Sequence, residues 1–85
     1  MAIRLRLFAS IREQTGVEEE RLELPAGVDS LGALRAHLRG RDAAWSESLD
    51  LSKGVRGAVN QRMADEQAPV RDGDEVAFFP PVTGG

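Results

Sequence analysis

The sequence has no cysteine, and that absence removes a disulfide framework, a thiolate metal ligand and a thiol nucleophile together. A single histidine, His37, leaves nothing from which a histidine cluster for a metal is built. Long apolar runs are missing as well. The N-terminal MAIRLRLF interrupts its apolar residues with arginines, unlike a signal peptide or a membrane span, so a cytoplasmic protein with no membrane partner is expected. Neither GxxxxGK[ST] nor GxGxxG occurs, so no nucleotide site of those kinds is encoded. Eleven basic residues are outnumbered by fourteen acidic ones, for a net charge of −3. That balance argues against nucleic acid, because phosphate binding needs a clustered positive field, and it favours basic or neutral docking partners.

What is present suffices for one small domain. A chain of 85 residues buries roughly 60% of the surface its unfolded form exposes, enough for one modest core and too little for a large catalytic cavity. Residues 2–8 alternate, Ile3, Leu5 and Leu7 on one face and Arg4, Arg6 and Phe8 on the other, which is the period of a half-buried strand. Phe8 then falls on the wrong face for the core. Ser10-Ile11-Arg12-Glu13 has the spacing of a capping box, with Gly16 placed to end a short helix. Residues 20–24 alternate again, Leu22 and Leu24 inward, before Pro25-Ala26-Gly27 breaks the strand.

The main helix is expected over residues 31–39. Ser30 is its N-cap, Leu31, Leu34 and Leu38 recur at i, i+3 and i+7, and Gly40 follows as terminator. A second helical turn over 43–49 puts Trp45 and Leu49 on one face. Residues 55–60 read as a strand whose Gly57 signals a bulge or a close backbone approach, and 61–64 as a short edge segment. Asp72-Gly73-Asp74 is a turn, and 75–79 the last strand, with Val76 and Phe78 on one face and Ala77 and Phe79 on the other. Asp72, Asp74 and Glu75 read as a solvated turn, not a metal site, and no metal site is expected. His37, facing away from Leu34 and Leu38, reads as solvated.

Two strands, a helix across them and two or three further strands describe an α+β domain with one main sheet and its helices largely on one face. A β-grasp (ubiquitin-like) domain over residues 1–79 is the natural candidate, although a ferredoxin-like strand order would leave similar alternation. Residues 80–85, Pro80-Pro81-Val82-Thr83-Gly84-Gly85, are expected to form a flexible tail, stiff where the prolines leave the sheet and bare at the glycines. Gly-Gly at a given pair of positions has a chance frequency of about 0.5%, and a frayed, functionless terminus is the plain alternative.

The chemistry gives the glycines a reason. A narrow tunnel admits a backbone only if no Cβ obstructs it, and the carbonyl of Gly85 must be open to attack. A carboxylate with a pKa of about 3.5 is a poor acyl electrophile, so it needs activation, most simply as an acyl-adenylate made by a separate ATP-using enzyme.

GDEVAFFPPVTGG, running from Gly73 to Gly85, resembles the C-terminal signature of the molybdopterin synthase small subunits, the MoaD family. Phe8 to Glu13 (FAxxRE), the leucine-rich helix from Leu31 to Leu38, and Ala58-Val59-Asn60 resemble the same family in the same order. The resemblance implies a β-grasp fold and adenylation of Gly85 by an E1-like adenylyltransferase. It also implies conversion of that residue to a thiocarboxylate with a sulfur donor system. It further implies insertion of the tail, Pro80, Pro81, Val82, Thr83 and Gly84 leading to Gly85, into a large subunit that receives the sulfur on cyclic pyranopterin monophosphate. Two subunits of each kind would assemble, with no cofactor bound by the small one. A carrier for thiamin or tRNA thiolation, a ubiquitin-like protein modifier, or a binding module with an inert tail are the alternatives.

Phe8, Met63 and Phe79 are apolar residues expected on the outward side of the sheet, where clustered apolar groups mark a docking surface. The resemblance makes the large subunit the partner for that surface. Scattered surface residues are the alternative. Arg4, Arg6, Arg12 and Glu13 read either as seats for the activating enzyme or as ordinary surface.

Overall fold

Alternation in the first strand sets the layers of the domain: Ile3, Leu5 and Leu7 are almost fully buried while Arg4 between them is exposed. In the computed structural model, which describes residues 2–81, this strand, β1 (Ile3–Leu7), leads into helix α1 (Ala9–Thr15) and then strand β2 (Glu19–Leu22). Helices α2 (Leu31–Arg39) and α3 (Ala43–Ser48) and a 3-10 turn (Leu51–Lys53) follow, and strands β3 (Arg56–Val59), β4 (Arg62–Ala64) and β5 (Glu75–Phe79) complete the sheet. The strand order is β2-β1-β5-β3-β4, with β1 and β5 parallel and every other neighbouring pair antiparallel. This is the β-grasp, not the ferredoxin-like order.

The core lies between the sheet and its helices. Ile3, Leu5, Leu7, Val76 and Phe78 from β1 and β5 meet Ile11, Leu31, Leu34, Leu38, Trp45 and Leu49 from the helical side. Each buried leucine or isoleucine contributes about 1.5–3 kcal/mol. The Ser30 hydroxyl caps α2 as expected, accepting from the Ala33 N–H at 3.1 Å. A Cβ built on Gly57 would lie 2.7 Å from Cδ2 of Leu31, so α2 sits directly on β3. The β3–β5 register runs unbroken from Arg56↔Phe79 to Val59↔Val76, so Gly57 marks a close approach and not a bulge.

Two local readings need correction. The Ser10–Glu13 capping box does not form: α1 starts at Ala9, and Phe8 in the cap position makes no side-chain bond. The cause lies in the sheet. The Phe8 N–H still donates to the Phe78 carbonyl at 3.3 Å, and the chain then turns at Ala9, whose φ is 51°, which leaves Ser10 already inside the helix. Strand β2 ends at Leu22 because its partner β1 begins at Ile3; Leu24 lies beyond the ladder yet still packs on the core. Helix α1 does end at Gly16 in the left-handed region, φ 76°.

Candidate functional site

Strand registers fix which side chains share the sheet face turned away from the core. Arg4 and Arg6 of β1, Glu19 and Arg21 of β2, Glu75, Ala77 and Phe79 of β5, Arg56 and Ala58 of β3, and Met63 of β4 all point that way. Ala58 is buried on this face, between Ala77 of β5 and Met63 of β4. The registers put Arg56 beside Phe79 and Met63 beside Ala58.

Met63 and Phe79 come together. With Arg56, Pro80 and Pro81 they line a concavity of about 500 Å3. Met63 is 57% exposed and Phe79 is half-buried. Phe8 shares the face but lies outside that concavity; its ring sits 5.3 Å from the Arg6 guanidinium. Pro80 follows directly from β5, the central strand, and Pro81 touches the 3-10 turn: its Cγ is 3.5 Å from where a Cβ on Gly54 would be. Val82, Thr83, Gly84 and Gly85 lie outside the described residues.

Two residues were not legible as site residues beforehand. Leu51, 54% exposed, lines a second concavity of about 430 Å3 together with Met63, Ala64, Arg35 and Glu66. Its segment has no period from which to read a face. Arg35 is only 3% exposed; it donates to the carboxylate of Glu66 and to the carbonyls of Leu49 and Val55 at 3.1 and 3.0 Å. A signal existed: Arg35 stands four residues after Leu31 and three before Leu38, inside the apolar stripe.

Arg4 and Arg6 both lie 3.8 Å from Glu19, and Arg12 lies 3.6 Å from Glu18. Glu13 and His37 are exposed. Asp74 is occupied structurally, one oxygen accepting from Asn60 Nδ2 at 3.0 Å and the other from the Arg71 N–H at 2.9 Å. Among the described residues no group of three His, Cys, Asp or Glu side chains is placed to hold a metal ion. No described helix is long and apolar enough to cross a membrane. On the helical side, hydrogen bonding to the Arg41 guanidinium holds the Glu20 carboxyl below its ordinary range. The backbone N–H and then the hydroxyl of Ser52 do the same for Asp50. The outward sheet face thus carries an apolar concavity, lined by Met63 and Phe79, beside the start of the tail.

Comparison with known proteins gives concordant results. A model of the ThiS family matches residues 5–85. The molybdopterin synthase sulfur carrier subunit of Escherichia coli (strain K12) is 41% identical over 83 residues, covering 98% of this chain and 99% of the relative. Among solved structures, SAMP1 from Haloferax volcanii matches with a TM-score of 0.79 and 27% identity over 100% of both chains. A chain in the complex of subunits 1 and 2 of molybdopterin-converting factor from Helicobacter pylori 26695 matches with a TM-score of 0.64 and 29% identity, again over 100% of both chains.

Proposed function

Because the chain belongs to the ThiS family, we propose that it is the sulfur carrier subunit of a molybdopterin synthase, working through the carboxyl of Gly85. The observation that carries this reading is its similarity, over nearly its whole length, to a sulfur carrier subunit of that enzyme. The fold supports it: the central strand β5 passes straight into Pro80 and Pro81 beside an apolar concavity.

The chain is not an enzyme by itself. An E1-like adenylyltransferase binds ATP and joins the Gly85 carboxylate to AMP, releasing pyrophosphate. Nucleophilic sulfur from a donor then displaces AMP and leaves a thiocarboxylate. The large subunit receives the tail, Val82 to Gly85, in its active site. There the sulfur passes to cyclic pyranopterin monophosphate, and water returns the carboxylate. Phe79 and Met63, with Phe8 at the margin, bear on the large subunit, as two small and two large subunits assemble in the cytoplasm. The complex of the two converting-factor subunits supports a large-subunit partner.

The test is the intact mass after incubation with the activating enzyme, ATP and a sulfur donor, with a chain lacking Gly85 as control. Replacement of one oxygen by sulfur in the full chain alone is the expected result; no change with a demonstrably active enzyme overturns the reading. A second reading, attachment of Gly85 to lysines of other proteins, is favoured by the likeness to SAMP1, a small archaeal modifier protein. Conjugates that survive a denaturing gel would support it.

A further inference from the structure

Three large apolar side chains stand exposed among the described residues, Phe8, Leu51 and Met63. The two most exposed of them, Leu51 and Met63, share one concavity of about 430 Å3. It lies along β4, the edge strand, and Met63 and Arg56 line both it and the tail-side concavity of Phe79 and Pro81. The two hollows therefore flank a shared wall.

Leu51 does not belong to the core, yet its position is fixed. The Asp50 carboxylate accepts from the N–H and the hydroxyl of Ser52, both at 2.9 Å. The Gly54 N–H donates to the Leu51 carbonyl at 3.0 Å, and Arg35 holds the carbonyls of Leu49 and Val55 on either side. An exposed leucine held in this way loses little further freedom when a partner covers it.

Two arginines, Arg35 and Arg56, stand against two carboxylates, Asp65 and Glu66, in the lining of this concavity, so its formal charges cancel. Arg35 and Glu66 already bind each other through two hydrogen bonds, and one Asp65 oxygen accepts from the Gln67 N–H at 2.9 Å. With its charges balanced, the site selects an occupant by apolar area and not by sign.

We propose that the large subunit seats an uncharged apolar side chain between Leu51 and Met63, so that its grip passes around β4 from the tail-side concavity to the 3-10 turn. Continuity of the two hollows through Met63 and Arg56 assigns this occupant to the large subunit. The inference rests on the reading that the tail-side concavity docks that subunit, and extends it to a residue outside the sheet.

The experiment is calorimetric titration of the full chain into purified large subunit at low and high salt, with thermal unfolding of every variant and sedimentation of the chain alone. Leu51→Ser should weaken binding roughly five- to tenfold, the effect of withdrawing the half of a leucine that is still exposed. The factor should be the same at both salt concentrations, because no ion pair is lost. Its thermal midpoint should stay at the wild-type value, since Leu51 is outside the core. Leu51→Met, which keeps the apolar volume, should bind like wild type. Adding Met63→Ala to Leu51→Ser should cost less than the two separate losses combined, as both side chains grip one occupant.

Unchanged affinity of Leu51→Ser while Phe79→Ala weakens binding overturns this proposal and leaves the docking reading standing. So does a lowered midpoint with a loss that Leu51→Met does not restore, which marks a structural role. Self-association of the wild type that Leu51→Ser abolishes also overturns it, by giving the concavity to a second copy of the chain. Failure of both Phe79→Ala and Leu51→Ser to alter affinity overturns the docking reading and the proposal together.

Discussion

Arg35 of α2 donates to both carboxylate oxygens of Glu66, through Nε at 3.1 Å and a terminal nitrogen at 2.8 Å, bridging 31 residues of sequence. The same guanidinium satisfies the carbonyls of Leu49 and Val55 and lies 5.1 Å from the centre of the Phe78 ring. Arg35 therefore ties both ends of the segment bearing the 3-10 turn to the helix. That segment in turn presents Gly54 to Pro81.

Arg35→Ala leaves two buried carbonyls and a carboxylate without their donor, and should cost about 3 kcal/mol or more in urea unfolding. Glu66→Gln should cost roughly 1 kcal/mol, since Glu66 is partly solvated and the carbonyl bonds survive. Equal losses in the two variants would mean that the carbonyl bonds contribute little.

Gly57→Ala drives a methyl group to 2.7 Å from Leu31 Cδ2, and should destabilise the domain by about 1–3 kcal/mol. Combining it with Leu31→Ala should cost less than the sum of the single changes, because the shorter side chain vacates the space. Additive losses in thermal unfolding would refute the contact.

The Glu20 carboxyl is held low by its bond from Arg41. A group depressed in the folded state stabilises above its unfolded value, here 4.5, and that contribution disappears as pH falls through the folded value. Acidification below about pH 4.5 should thus lower the unfolding midpoint of wild type, and Glu20→Gln should flatten part of that decline. Arg41 is shifted upward by its bond to Glu20, so its own titration does not enter near neutrality. Asp50→Asn removes a second depressed carboxyl acting in the same direction.

Phe79→Ala and Met63→Ala empty the concavity beside the tail and should each weaken large-subunit binding roughly tenfold. Phe8→Ala should do less, because Phe8 lies outside the concavity. A larger loss from Phe8 than from Phe79 would move the centre of the interface towards β1.

Where side-chain period is strong, the sequence was readable. Leu31, Leu34 and Leu38 located α2, and the alternation ending at Phe79 located β5 with its bounds. The outward placement of Phe8 and Phe79 followed from strand alternation, but the grouping of Met63 with Phe79 in a concavity that leaves Phe8 out depends on strand order, which no local pattern contains. The capping box failed because pairing of β1 with β5 overrides a local cap. Leu51 escaped because a single 3-10 turn leaves no repeat to detect. Arg35 escaped because a charged residue in an apolar stripe is ordinarily read as surface, whereas here distant acceptors hold it inside.

The parallel pairing of β1 with β5 joins strands from opposite ends of the described chain. Most of the intervening polypeptide must be gathered before those strands meet, an entropic cost that precedes the reward and slows folding. The arginines of β1 and the phenylalanine of β5 become one surface only after that closure. A partner that reads this surface would therefore bind only a chain whose sheet has closed, so the order of folding would itself select which chains are recognised.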